Sequence, residues 1–155
     1  MTRPYVRWPA DPPYRITQHF GENPNHPQYK YGPLGHPGVD LVVETPPYRV
    51  LSPLRGWLKR HTAPSVYGLS VTVESAEDPE LVARVAHLSG FVVLPNTLVE
   101  PGDALGYMGA TGHTFGAHVH FELCYRGEPL DPAAYIREQE QEGRAMAWKG
   151  GWHLG

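Results

Sequence analysis

Two imidazoles stand at strand spacing inside an apolar run, Gly116-Ala117-His118-Val119-His120-Phe121-Glu122-Leu123. Side chains alternate faces along a strand, so His118, His120 and Glu122 are expected on one face and Val119, Phe121 and Leu123 on the other. One face then packs and the other is left for chemistry. Neutral imidazole is the commonest ligand for transition metals and the usual proton carrier near neutral pH, so the pair can supply one ligand and one acid/base group. The chain has nine histidines. At that density a His-x-His arises readily by chance, and the pair decides little by itself.

Two further motifs change its weight. In His36-Pro37-Gly38-Val39-Asp40, Pro37 fixes the backbone after His36 and Gly38 permits a tight turn, which predicts His36 folded back toward Asp40 at the start of a strand. The bland alternative is a turn in which Asp40 only accepts local backbone hydrogen bonds. His87 closes an alternating segment, residues 81–88. A catalytic zinc site needs three protein ligands of N and O type, one open position, and a base that is not bound to the metal. His36, Asp40, His87, His118 and His120, taken in order, supply such a set.

With these motifs together the chain resembles the lysostaphin-type (LytM-like) zinc metallopeptidases, a peptidoglycan endopeptidase family. The resemblance rests on Gly35-His36-Pro37-Gly38-Val39-Asp40, on Ala86-His87-Leu88-Ser89, and on Thr111-Gly112-His113-Thr114-Phe115-Gly116-Ala117-His118-Val119-His120-Phe121-Glu122. It extends to residues 99–106 and 127–132 and so covers about residues 14–135. It implies that His36, Asp40 and His120 bind one Zn²⁺ per chain, with His87 and His118 as catalytic residues beside the activated water. Spacing does not separate base from stabiliser. Glu122, on the His120 face, is expected to orient a ligand imidazole; its alternative is a carboxylate on the sheet surface. His19 and His113 depart from the small or polar residues expected beside the motif. With Tyr31 and Tyr67 they are the candidate substrate contacts.

The elements that must position these residues read as short strands and turns. Seventeen Gly and seventeen Pro, spread from end to end, favour a mainly β fold. The fold implied is a single domain on an antiparallel β-sheet, LytM-like, with long loops walling a cleft and one C-terminal helix. Residues 1–13 are expected as an irregular leader on the surface, residues 14–135 as the peptidase domain, and residues 136–155 as the rest of the helix and a tail. Strands are expected near residues 14–21, 39–43, 53–60 (with Trp57 buried), 69–75, 81–88 and 104–110. Four glycines between Gly102 and Gly112 predict close backbone approach. Asp131 as N-cap and Pro132 at the first position open the helix, predicted to about Met146.

Composition excludes several classes. A net charge of −3 and a pI near 6.3 argue against a nucleic-acid groove. No run of Lys and Arg suits an anionic membrane surface, and no stretch approaches the apolar length of a spanning helix. Cys124 is the only cysteine, so no intrachain disulfide can form. Residues 1–10 have no apolar core of signal-peptide type, which predicts release by another route or earlier processing. The expected protein is a monomeric zinc endopeptidase cutting the stem peptide or cross-bridge of peptidoglycan in the wall or periplasm, as a phage or bacterial lysin. Its alternatives are a catalytically silent LytM-like scaffold that activates a wall amidase, and a zinc carboxypeptidase on stem peptides.

Overall fold

A computed structural model describes residues 3–29 and 34–149. Ten strands pair antiparallel throughout: β1 (Tyr14–Gln18), β2 (Val39–Val43), β3 (Arg49–Leu51), β4 (Gly56–His61), β5 (Leu69–Ser75), β6 (Leu81–Phe91), β7 (Leu98–Val99), β8 (Ala104–Met108), β9 (Val119–Tyr125) and β10 (Glu128–Leu130). The sheet runs β1-β2-β9-β6-β5-β4-β7, with β8 against β6 and β3 and with β10 on β9. One helix among the described residues, α1 (Pro132–Lys149), follows. The fold is therefore the mainly β, antiparallel architecture that the residues predicted.

Alternation explains which face is buried. Val119, Phe121 and Leu123 of β9 are fully buried, as are Leu41 of β2, Leu58 of β4 and Val71 of β5. Phe121 is the largest side chain in this layer, and truncating such a residue to Ala costs roughly 3–5 kcal/mol. The opposite face of β2, β9 and β6 carries Asp40, His120, Glu122 and Arg84, because these are direct cross-strand partners. The expectation for Trp57 is corrected. It is 52% exposed while Leu58 is buried, because on β4 the even-numbered side chain takes the core position.

Residues 3–13 are irregular, but they do not lie only on the surface. Val6 and Ala10 are core residues. The α1 side chain of Gln139 brackets Val6, accepting from its N–H at 2.8 Å and donating to its carbonyl at 2.7 Å. Tyr135 donates to the Pro4 carbonyl, and Arg3 pairs with Glu138 and Glu142. The polar face of α1 thus holds the leader down. The helix begins as expected, with the Ala133 N–H donating to Asp131 Oδ1 at 3.0 Å.

Candidate metal centre

Strands β2, β9 and β6 and the segments entering β2 and β9 meet at the face opposite the core. Asp40 on β2 and His120 on β9 are paired in register. The turn before β2 delivers His36, which is buried beside them. Gly38 permits that turn: a Cβ there would lie 2.4 Å from the Phe121 carbonyl oxygen. His118 stands just before β9, bridged to Gly109. His87 lies within β6 and not at its end, at the point where the strand leaves β9 and joins β8, since Ala86 pairs with His120 and Leu88 with Met108. Its φ of +65° makes that switch. A non-glycine residue in the left-handed region is uncommon, and such strain clusters at functional sites.

The distances are short and share one atom. Asp40 Oδ1 lies 2.8 Å from His120 Nδ1, 3.2 Å from His36 Nε2 and 3.7 Å from His118 Nε2. His36 Nε2 and His120 Nδ1 are 3.2 Å apart. The ring centroids of His87 and His118 are 4.7 Å apart, and His87 is 6.0 Å from His120. The structure therefore brings all five residues to one place.

The second nitrogen of each ring is already committed to an acceptor. His36 Nδ1–H donates to the His19 carbonyl at 3.2 Å, His87 Nδ1–H to the Thr111 carbonyl at 2.7 Å and His118 Nδ1–H to the Gly116 carbonyl at 2.9 Å. His120 Nε2–H donates to Glu122 Oε1 at 2.9 Å. Carbonyls and carboxylates only accept, so these partners fix the tautomers. The lone pairs are left on His87 Nε2 and His118 Nε2 and, once a cation replaces the proton that each shares with Asp40, on His36 Nε2 and His120 Nδ1. Ligand atoms of His36, Asp40 and His120 all lie within 4.8 Å of one another. Two imidazole nitrogens and one carboxylate oxygen, with their outer nitrogens held, are a donor set that suits Zn²⁺.

Electrostatics agree. Burial alone would raise the Asp40 carboxyl, but hydrogen bonds from His120 and His36 outweigh it and hold it below the usual carboxylate range. Burial would lower His120, yet its hydrogen bonds to Asp40 and Glu122 push it up to about 9, so the ring carries a proton at neutral pH until a cation replaces it. Burial pushes His87 down to about 4, against the opposing Thr111 hydrogen bond. His87 is neutral at pH 7.

A cleft of about 580 Å³ opens over these groups, lined by Gln18, Tyr29, Tyr67, His113 and Phe115 among others. His113 and Tyr67 line it. The Tyr67 hydroxyl donates to Glu122 at 2.9 Å. His19 is exposed and contributes its carbonyl to His36. Tyr31 lies outside the described residues. Sequence reasoning missed Tyr29, whose ring centroid is 5.6 Å from that of His36, and Phe115, 98% exposed at the rim. It also missed the carbonyls of His19, Thr111 and Gly116, since a backbone acceptor leaves no residue-type signal.

Residues 34–132 match the model of peptidase family M23. The chain is 29% identical over 133 residues to the peptidoglycan DD-endopeptidase ShyA of Vibrio cholerae, covering 84% of this chain and 30% of that protein. Among solved structures, a zinc-containing peptidase from Vibrio cholerae superposes with a TM-score of 0.70 at 29% identity, over 84% of this chain and 39% of that one. The catalytic domain of lysostaphin from Staphylococcus simulans superposes with a TM-score of 0.68 at 20% identity, over 80% and 92% of the two chains. This chain thus spans about a third of ShyA's length. The family match spans most of the sheet and every residue of the centre, and this chain belongs to peptidase family M23.

Proposed function

We propose that this chain is a zinc endopeptidase that hydrolyses amide bonds in the stem peptide or cross-bridge of bacterial peptidoglycan, working in the wall or periplasm. Residues 14–135 form the catalytic unit, and α1 and the leader brace it. The observation that carries the reading is the convergence of His36 Nε2, Asp40 Oδ1 and His120 Nδ1, with the outer nitrogens of the four imidazoles held by acceptors.

His36, Asp40 and His120 hold the metal. Zn²⁺ bound there supplies Lewis acidity toward a peptide carbonyl and toward water. The remaining work falls to the chain. His87, neutral and with Nδ1–H fixed on Thr111, presents Nε2 as a proton acceptor, and His118, its ring centroid 4.7 Å away and its Nδ1–H fixed on Gly116, presents its own Nε2. Between them the pair takes the proton of the attacking water and returns it to the leaving amine, a transfer that typically contributes 10²–10⁴-fold. A cleft lined by His113, Tyr29 and Phe115 suits an extended peptide.

The ShyA likeness supports the substrate class, and the complete donor set favours a working enzyme over a silent scaffold. Mass spectrometry of products released from several purified peptidoglycans tests it. Cross-link fragments are expected; single terminal amino acids would indicate a carboxypeptidase, and no release from any wall type would contradict the proposal.

A further inference from the structure

The outward nitrogen of His120 is gripped by a chain of three side chains that the reaction above does not use. His120 Nε2–H donates to Glu122 Oε1 at 2.9 Å, and the same oxygen accepts the Tyr67 hydroxyl at 2.9 Å. The Arg84 guanidinium lies over the Tyr67 ring, 4.1 Å from its centroid. Backbone pairing sets this up. Arg84 and Glu122 are direct partners on β6 and β9, so their side chains emerge together on the face that carries His120. Tyr67 comes from the loop before β5, and its carbonyl accepts the His87 N–H at 2.9 Å, which anchors that loop beside the site.

A buried carboxylate is costly unless donors satisfy it, and Glu122 is buried. With two donors on Oε1, its carboxylate cannot swing into the cleft without leaving both behind. The cation over the Tyr67 face attracts the ring and favours its polarised hydroxyl. We infer that Tyr67 and Arg84 are positioning residues that act through Glu122 to keep the His120 proton on Nε2 and the Nδ1 lone pair aimed at the corner shared with Asp40 and His36. The inference rests on the zinc reading of that corner. It assigns the Tyr67 hydroxyl to the metal centre, where the sequence pointed to a substrate contact.

The test uses the full chain and reads metal affinity and proton placement rather than turnover. Zinc affinity is measured by competition with a chromogenic chelator for wild type, Tyr67→Phe, Glu122→Gln, Arg84→Met and Arg84→Lys, and the His120 Nε2–H resonance is followed by NMR in the zinc-loaded, ¹⁵N-histidine protein. Removing such an outer partner typically costs 10–100-fold in affinity. Tyr67→Phe is expected to lose about tenfold, at the low end of that range, and its N–H to exchange faster with water; Glu122→Gln is expected to lose more. Arg84→Met is expected to lose less than Tyr67→Phe, and Arg84→Lys to recover part of that loss. Chelated Tyr67→Phe is expected to fold with a lower unfolding temperature than wild type, since buried Glu122 loses one donor, and if it does not fold, the Arg84→Met and Arg84→Lys pair carries the same reading. Tyr67→Phe binding zinc within about twofold of wild type, with an unchanged N–H signal, would overturn the relay even if its turnover fell. A wild-type chain that takes up no zinc would overturn the zinc reading and the relay with it.

Discussion

On the proposed reading, zinc uptake at His120 displaces a proton, and the surroundings of the ring set the direction of the pH dependence. In the metal-free chain the ring lies between Asp40 Oδ1 at 2.8 Å and Glu122 Oε1 at 2.9 Å, and these contacts outweigh burial to raise it from 6.5 to about 9. A folded-state value above the unfolded one means stability that is fully present below pH 6.5 and is lost as pH rises through about 9. The rise corresponds to roughly 3 kcal/mol. Zinc runs the other way, because its ligand must be deprotonated. Apparent zinc affinity is therefore expected to climb about tenfold per pH unit from 6.5 toward 8.5 and to level off above about 9. His87, pushed down to about 4, works on the acid side: its folded value lies below the unfolded one, so stability falls as pH drops from 6.5 toward 4. Chelated protein should be most stable near pH 6.5. The assay pairs thermal unfolding of the chelated chain with zinc competition at pH 6.5, 7.5 and 8.5. Affinity that is flat across that range, or a metal-free chain that becomes more stable on going from pH 6.5 to 8.5, would refute the reasoning.

Three further outcomes are expected. His87→Ala should keep its zinc and lose about 10²–10⁴-fold in turnover on purified peptidoglycan; metal content and product release measured on the same preparation check both halves. Gly68 has φ +63°, and a Cβ there would lie 2.3 Å from the Thr111 carbonyl carbon, so Gly68→Ala should lower stability by about 1–3 kcal/mol in urea unfolding; unchanged stability would contradict the close approach of the two loops. Burial raises the Tyr135 phenol to about 12, so its contribution is complete below pH 10 and is lost between 10 and 12. Tyr135→Phe should remove one late-ionising step from the alkaline absorbance titration, and a titration identical to wild type would contradict the part-buried contact with Pro4.

The candidate metal centre was legible because its residue types are rare in combination and period two orders them. His120 and Glu122 share one face of β9, with His118 just before the strand, for the same steric reason that Val119, Phe121 and Leu123 share the other. β5 was legible to the residue, since Leu69–Ser75 alternates and turns bound it. Three things were not. The kink at His87 is a tertiary decision: β6 runs on to Phe91 because β8 is there to receive it, and no local pattern announces a partner switch. Val6 reads as part of a polar, Pro-rich leader, and only the reach of Gln139 from the far end of the chain shows it buried. Trp57 reads as core on size alone, but parity on β4 belongs to Leu58. The close approaches expected between Gly102 and Gly112 do occur, with Gly106 against Gly90 and Gly112 against Gly68.

The central claim is that three side chains hold one zinc, and elemental analysis of the purified chain and its variants tests it most directly. About one zinc per wild-type chain is expected, with a near-complete loss in His36→Ala, Asp40→Ala and His120→Ala and full retention in His118→Ala. Wild-type protein free of zinc after incubation with the metal, or ligand variants that keep a full equivalent while still folded, would contradict the account.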